Sequence, residues 1–363
     1  MKLATYKDDS RDGQLVVVSR DLSQAAFATA SATRLQQVLD DWNFISPQLQ
    51  DLYVSLNQGR ARHAFNFDPR RCMAPLPRAH QRVTGWAYAS HALRLNPAGD
   101  PALSSGGRSS SPQMQQVHQM QQVHRIQQVH QIQQTGSDDL LGPHDDAWFG
   151  SATWGIDFEA GLAVITGDLD RGASATQGLD SVRLLMLAVD WRLRQLDSAS
   201  ELHSRPGAAF SAVAVTPDEL GEGWKAGRLH ATLQCVWNGK KVGQCETGPE
   251  MAFHFGQLIA HLAKTRRLRA GCIVGSGPVS NADASKGYAC IAEKRALEIT
   301  ALGAAKTGFM QLGDRLRVAL RSRDGQSVFG EIDQRVTGPG MTHEAEAAGE
   351  PGAARPADDQ AAP

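Results

Sequence analysis

The sequence has almost no excess of charge of either sign. Its 363 residues include 37 lysines and arginines and 38 aspartates and glutamates, which gives a formal net charge of -1. A domain that binds nucleic acid or an anionic membrane through its overall electrostatic field carries a clear excess of basic residues. We therefore expect neither nucleic acid nor a membrane among the partners of this chain.

Long apolar runs and paired cysteines are also missing. Near the N-terminus the longest apolar run covers residues 15–18, which is too short for a signal-peptide core or a membrane span. The five cysteines are scattered and none belongs to a CxxC pair, so the sequence favours neither a disulfide framework nor a zinc cage. These absences predict a cytoplasmic protein with reduced thiols.

Strand signals, in contrast, are abundant. Residues 80–337 contain apolar segments separated by turns, and the Asn-Gly pair at 238–239 and the Asp-Gly pair at 324–325 are typical of β-hairpins. One amphipathic helix is predicted at 253–264. Few helices among many hairpins favour an α+β, β-rich fold, with a small N-terminal domain at 1–75 ahead of the main domain.

Within the N-terminal domain, one helix has a predicted start. Ser46 supplies an N-cap residue and Pro47 fits the first helical position, where its missing N–H costs nothing. The sequence therefore predicts a helix that begins here and runs towards Asn57.

Two segments do not fit a folded domain. Residues 113–134 repeat hexads such as QMQQVH and RIQQVH after a Ser/Gly-rich lead, so 104–134 interrupts the main domain. The apolar residues recur every three positions, whereas a helical stripe alternates threes and fours. A hexad β-helix and a histidine metal site are alternatives, but a disordered or loosely helical segment outside the core is favoured. The tail at 338–363 has too few apolar residues to fold.

Four acidic residues and one histidine are candidates for chemistry. Asp157 and Glu159 lie two positions apart in a predicted strand, so both carboxylates project from one face of an apolar segment. A hard cation or basic partners would offset their burial, and a solvent-facing sheet edge is an equally good interpretation. Asp190 ends a buried strand, His91 taken alone is structural, and Glu293 lies in a strand-like stretch where a surface ion pair explains it.

Read in order, several motifs together resemble the fumarylacetoacetate hydrolase family, in particular its bacterial two-domain members. The resemblance covers nearly all of 1–96 and 136–335. It rests on the segments RCMAPLPRAHQ, GIDFEAGLAVITGD, RLLMLAVD, CVWNGKKVG, GSGPVSN and KGYACIAEKR.

The resemblance implies a mixed β-roll or sandwich hydrolase domain that forms a homodimer and holds Mg²⁺ or Ca²⁺ through four carboxylates. It also implies that the enzyme cleaves a carbon–carbon bond in a small-molecule diketo acid such as fumarylacetoacetate, in aromatic amino-acid catabolism. By this resemblance, the general base is His91 and the glutamate that orients it is Glu293. Two of the metal carboxylates correspond to Glu159 and Asp190.

This chain departs from the family pattern at several of the same positions. Gly161 stands where the second metal glutamate is expected, and Thr84 stands where a metal aspartate is expected. The basic substrate-binding residue, normally lysine, corresponds to Arg205, and Pro278 replaces a threonine that contacts substrate. The departures leave two interpretations open, a hydrolase with a weakened metal site and an impaired relative that keeps only the fold.

Overall fold

The computed structural model describes residues 1–95, 132–196, 201–322 and 325–341. The strands in these ranges are β1 (Lys2–Tyr6), β2 (Gln14–Val18), β3 (Gln24–Phe27), β4 (Phe65–Asn66), β5 (Arg82–Gly85), β6 (Ile132–Gln134), β7 (Leu140–Leu141), β8 (Ala147–Trp148), β9 (Ile156–Thr166), β10 (Val182–Leu193), β11 (Ala208–Phe210), β12 (Val213–Val215), β13 (Trp224–Lys225), β14 (Arg228–Leu229), β15 (Thr232–Trp237), β16 (Lys240–Glu246), β17 (Ile273–Pro278), β18 (Arg315–Arg321) and β19 (Ser327–Thr337). The α-helices there are α1 (Leu35–Asp40), α2 (Trp42–Asn57), α3 (Ala89–Leu95), α4 (Ala175–Asp180), α5 (Glu201–Ser204), α6 (Phe255–Ala263) and α7 (Ile291–Leu302).

A twelve-stranded mixed sheet forms the centre of the molecule. Ten of its strands run in the order β4-β3-β2-β1-β12-β10-β9-β17-β5-β6. Strand β11 also pairs with β10, and β7 pairs with β11. The N-terminal strands join this sheet through β1, where Leu3 pairs with Ala214 of β12. The β-rich α+β prediction is thus confirmed, and the N-terminal segment extends the main sheet.

Both faces of the large sheet are covered. Alternate residues of β2 enter different clusters, with Val16 and Val18 in one core and Leu15 and Val17 in the other. A strand buried on both faces reads as a continuous apolar run, because neither set of alternating side chains meets water. This explains the uninterrupted apolar stretches in β2, β9 and β10.

A second sheet has five strands in the order β16-β15-β18-β19-β8. Its β15–β16 hairpin turns at Asn238 and Gly239, whose φ angles are 48° and 76°. Both values are positive, as a type I′ turn requires. The corresponding turn between β18 and β19 includes Gly325 at φ 82°, while residue 324 lies outside the described residues.

The predicted start of the N-terminal helix is wrong. Helix α2 begins at Trp42 and contains Pro47 in its interior. The backbone N–H of Ile45 already donates to the carbonyl of Asp41 at 3.0 Å, so the first turn forms before the proline. Trp42 and Ile45 pack against the second core, and this contact stabilises a turn that capping residues alone would not predict.

The end of the hexad repeat also differs from the prediction. Residues Ile132–Gln134 form β6, which pairs antiparallel with β5, and Ile132 packs against the first core. The rest of 104–134 and all but the first residues of the 338–363 tail lie outside the described residues. Within the described part of the chain, every helix is too short or too polar to cross a membrane.

The shared sheet makes a prediction about stability. Leu3 is fully buried in the core that also contains Leu184 and Met186 of β10. Leu3→Ala should therefore lower the free energy of unfolding by about 2–5 kcal/mol, because it leaves a cavity between the N-terminal strands and the main domain. Phe44→Ala, at a side chain 69% exposed in α2, should change it by no more than about 0.5 kcal/mol.

The measurement is denaturant unfolding followed by both tryptophan fluorescence and circular dichroism. One coincident transition is expected for the wild type and both variants. If the N-terminal segment of Leu3→Ala unfolds at a lower denaturant concentration than the rest of the chain, the two parts do not share one cooperative core.

Candidate active site

The two candidate metal carboxylates lie directly opposite each other on neighbouring strands. Strands β9 and β10 are antiparallel, and their register pairs Glu159 with Asp190 and Asp157 with Arg192. Residues paired in this way point to the same face of a sheet, so one face carries three carboxylates. All three are buried, with exposures of 0% for Asp157, 2% for Glu159 and 6% for Asp190.

The predicted histidine and glutamate meet although 202 positions separate them in sequence. His91, on α3, places its Nδ1 atom 2.5 Å from Oε1 of Glu293, and both side chains are 1% exposed. An ionised carboxylate can only accept, so Nδ1 carries the hydrogen and Nε2 presents a lone pair. Within the described residues Nε2 has no hydrogen-bond partner, which leaves it available to a ligand or to water.

Glu293 occupies the first turn of helix α7, so its expected strand-like setting is wrong. The helix begins where it does because Asp157 accepts from its first backbone N–H groups, at 2.7 Å from Ile291 and 3.1 Å from Ala292. A carboxylate at this end also interacts favourably with the helix dipole. Glu293 additionally accepts from Arg94 Nη1 at 3.1 Å, which fixes its orientation.

The buried carboxylates are paired with arginines. Arg194 donates from Nε to Asp157 at 2.9 Å and from Nη2 to Glu159 at 2.6 Å. Arg82 of β5 forms a buried ion pair with Asp190. Asp157 and Glu159 are therefore buried with basic partners, and the alternative interpretation, a solvent-facing sheet edge, is wrong.

Two more guanidinium groups approach Glu159. Nη1 of Arg205 lies 3.5 Å from its Oε2 atom, and Nε of Arg192 lies 3.8 Å from its Oε1 atom. Burial acts to raise the pKa of Glu159, but the positive charges of Arg194 and Arg205 outweigh it and hold that pKa below its usual value. Glu159 also forms a β-bridge with Cys290, directly before the helix that carries Glu293 and so holds His91, which places the histidine and the arginines around one site.

Burial shifts the other groups in the opposite sense. It raises the pKa of Asp157, against the attraction of Arg194, and it lowers the pKa of Arg205, against the attraction of Glu159. Burial and the like charge of Arg205 lower the pKa of Arg82, while the negative charge of Glu159 works against that fall. Four guanidinium groups thus face three carboxylates in a site that water reaches poorly.

These residues do not fit Mg²⁺ or Ca²⁺. Both expected ligands, Glu159 and Asp190, already hold guanidinium groups, and the described residues contain no cluster of three or more ligand side chains suited to a metal. At an effective dielectric constant of about 20, two unit charges about 4 Å apart interact by roughly 4 kcal/mol. Because a divalent ion carries two positive charges, its repulsion from each nearby arginine would be about twice as large.

The two substituted positions are closed to new ligands. A Cβ atom on Gly161 would overlap the carbonyl oxygen of Gly277 and lie 2.9 Å from Ser276 Oγ, because β17 runs close against β9 here. Thr84 of β5 is 1% exposed, and its hydroxyl lies against Gly275 of the neighbouring strand β17. A glutamate at 161 would therefore not restore the site without moving the backbone.

The sequence predicted Arg205 at this site, but it did not predict Arg82, Arg192 or Arg194. A signal existed for two of them, because Arg192 and Arg194 follow Asp190 at two-residue steps and so share its strand face. Arg82 had no such signal, since its contact with Asp190 depends on the order of strands in the sheet. The site opens to solvent at one edge, where Arg192 and Arg194 keep 13% and 15% of their side-chain surface exposed.

Comparison with known families gives two matches along the chain. Residues 1–78 match the fumarylacetoacetase N-terminal domain 2, and residues 106–337 match the fumarylacetoacetate hydrolase C-terminal domain. No curated protein sequence matches.

Solved structures share the fold over almost the whole length. They include maleylpyruvate hydrolase from Sphingobium sp. SYK-6 in complex with manganese(II) and pyruvate, at TM-score 0.60 and 14% identity, covering 93% of this chain and 99% of that one. Fumarylacetoacetate hydrolase from Exiguobacterium antarcticum matches at TM-score 0.57 and 14% identity, covering 93% of this chain and 99% of that one. A 2-hydroxyhepta-2,4-diene-1,7-dioate isomerase from Mycobacterium marinum matches at TM-score 0.55 and 12% identity, covering 94% of this chain and 100% of that one. At these identities the likeness concerns the fold.

The close approach at Gly161 yields a testable prediction. Gly161→Ala should lower the free energy of unfolding by about 1–3 kcal/mol, because the added methyl group forces β17 away from β9. Gly308→Ala is the matched control, since a Cβ there meets nothing within 4 Å, and its effect should stay within about 0.5 kcal/mol. Denaturant unfolding measures both, and equal stability of the two variants would show that β17 can move aside.

Proposed function

Because this chain belongs to the fumarylacetoacetate hydrolase family, we propose that it hydrolyses a carbon–carbon bond of a small β-diketo acid. Fumarylacetoacetate and simpler acylpyruvates are the leading substrates. The observation that carries the proposal is the buried pair of His91 and Glu293, with Nε2 of the histidine unpartnered among the described residues. A purely structural histidine would have both ring nitrogens satisfied.

In the proposed reaction His91 acts as general base. Its Nε2 atom takes a proton from water as the water oxygen bonds to a substrate carbonyl carbon, and Glu293 stabilises the imidazolium that forms. Collapse of the tetrahedral adduct breaks the bond between the acyl and enolate halves, and the electron pair leaves with the enolate. The imidazolium then returns its proton to the enolate carbon.

The arginines supply the electrostatic part. Negative charge develops first on the attacked carbonyl oxygen and then on the enolate oxygen. Arg205 and Arg192 carry buried N–H groups without hydrogen-bond partners in the described part of the chain, and preorganised donors of this kind stabilise such charge. No step of this scheme uses a metal ion.

A second candidate function is binding without turnover. It is favoured by Pro278, which pairs with Gly161 and brings neither a hydroxyl nor a backbone N–H to the substrate side of β17. A relative of this kind would keep ligand affinity and lose hydrolysis. Assay of the purified wild-type chain with fumarylacetoacetate and acetylpyruvate separates the two candidates.

Two further proposals concern the setting of the protein. A homodimer is proposed from the family resemblance, and sedimentation velocity tests it directly. A cytoplasmic location is proposed from the five cysteines, all of which are buried and unpaired with one another.

The role of His91 gives a direct prediction. His91→Ala should lower kcat by a factor of about 10²–10⁴, because water loses its base. His63→Asn is the control, since His63 is exposed in the N-terminal segment and asparagine tolerates its positive φ of 57°. Steady-state hydrolysis of acetylpyruvate measures the effect, and an unchanged kcat in His91→Ala would refute the assignment.

Glu293 acts through His91 and is a positioning residue. Glu293→Gln should lower kcat and leave KM for acetylpyruvate unchanged, because the imidazolium formed during the reaction loses the carboxylate that stabilises it. A structural defect alone would change KM together with kcat.

A further inference from the structure

We propose that the arginines of this site take the place of a divalent cation, and that the site binds the carboxylate of an oxo-acid without metal. The proposal rests on the proposed function only for the choice of an oxo-acid. Because it concerns ligand binding, it can be tested independently of hydrolysis.

Two of the three buried carboxylates have complete sets of partners. Asp157 is satisfied by Arg194 and by two backbone N–H groups of α7, and Asp190 is satisfied by Arg82. Arg82 completes its contacts by donating from Nη1 to the carbonyl of Gly136 at 2.9 Å. These pairs are complete, so neither has a vacancy for a ligand.

The charges of the remaining residues of the site do not balance. After those pairs, Glu159 carries one negative charge between the guanidinium groups of Arg192 and Arg205. One positive charge is therefore left over in a buried region. A buried charge without a partner is costly, and a monoanion at this place would balance it.

Two of the arginines also have N–H donors that lack acceptors among the described residues. Arg205 is 2% exposed, and its Nη2 group donates to Oε1 of Gln133 at the end of the hexad segment. Its Nε and Nη1 atoms have no hydrogen-bond partner among the described residues, and neither do Nε and Nη1 of Arg192. Nε and Nη donors of a guanidinium form a planar fork that matches the two oxygens of a carboxylate.

The ligand class follows from charge and shape. A single carboxylate balances the excess charge, whereas a phosphate dianion beside Glu159 would exceed it. The lone pair of His91 Nε2 lies at the same site, because Glu159 forms a β-bridge with Cys290 just before the helix that carries Glu293, the partner of His91. This lone pair can accept from an enol hydroxyl or a water next to the carboxylate. An oxo-acid that carries its carbonyl next to the carboxylate, as pyruvate does, is the smallest molecule with these groups.

The same contacts disfavour a divalent ion. To reach Glu159 and Asp190 it would have to displace Arg194 and Arg82 from them. Among the described residues Arg82 forms no ion pair besides that with Asp190, and Arg194 would keep only Asp157. Arginine remains protonated under all ordinary conditions, so the displacement cannot be eased by losing a proton.

The test is calorimetric titration of the full-length protein with sodium pyruvate, in EDTA and then in MnCl₂. We expect pyruvate to bind in both buffers with affinities that agree within twofold, and MnCl₂ alone to give no binding heat. Pyruvate binding that appears only with Mn²⁺, or micromolar binding of Mn²⁺ alone, would overturn the proposal. Absence of pyruvate binding in both buffers would overturn it as well.

Variants locate the binding site. Arg205→Gln should weaken pyruvate binding at least about tenfold, since hydrogen bonds to a charged group are lost. Arg192→Gln, at a partly exposed side chain, should do the same and remains informative if Arg205→Gln fails to fold. Arg269→Gln is the control, because Arg269 is 71% exposed and pairs only loosely with Asp168, 3.9 Å away. Wild-type affinity in Arg192→Gln would contradict the proposed site.

His91→Ala separates this inference from the hydrolase proposal. It should still bind pyruvate in EDTA while losing turnover of acetylpyruvate. Metal-independent binding by a wild-type protein that hydrolyses nothing would sustain the anion site and refute the hydrolase. Turnover of acetylpyruvate that requires Mn²⁺ would support the hydrolase proposal and refute the metal-free anion site.

Discussion

Neutralisation of three buried carboxylates on neighbouring strands is the constraint on which the rest of the site depends. Asp157, Glu159 and Asp190 project from one face of β9 and β10, where exposure is 6% or less. Leaving such groups ionised and unpaired costs several kcal/mol each. A fold that keeps them needs a cation at this place, and here arginine side chains provide it.

The histidine pair depends on the same network. Asp157 caps α7 through its first two N–H groups, which fixes where the helix begins. Glu293 follows one residue later, and that position brings its carboxylate to His91. Loss of the Asp157 carboxylate would therefore be felt at the histidine, although the two side chains share no hydrogen bond. The residue that balances charge at the arginines therefore also determines the geometry of the proposed base.

Local sequence patterns predicted the features that depend on a few neighbouring residues, namely a shared strand face and a hairpin turn. The two-residue step placed Asp157 and Glu159 on one face, and Asn238-Gly239 specified a type I′ hairpin. Patterns of this range say nothing about strand order, so they could not bring Arg82 to Asp190. They also failed where tertiary contacts outweigh local preference, as at Pro47 inside α2 and in β6 at the end of the repeat.

Gly161 shows why the missing ligands and the added arginines belong together. Without a side chain at this position, β17 approaches β9 until the Gly277 carbonyl fills the space of a Cβ atom. The position can then no longer hold a carboxylate, and Glu159 lacks the neighbour that would help it bind a cation of charge two. Singly charged guanidinium groups suit the smaller number of carboxylates better, because each can be held by one or two oxygens. A metal-binding version of this face would require coordinated changes in charge and in backbone packing, which no single substitution supplies.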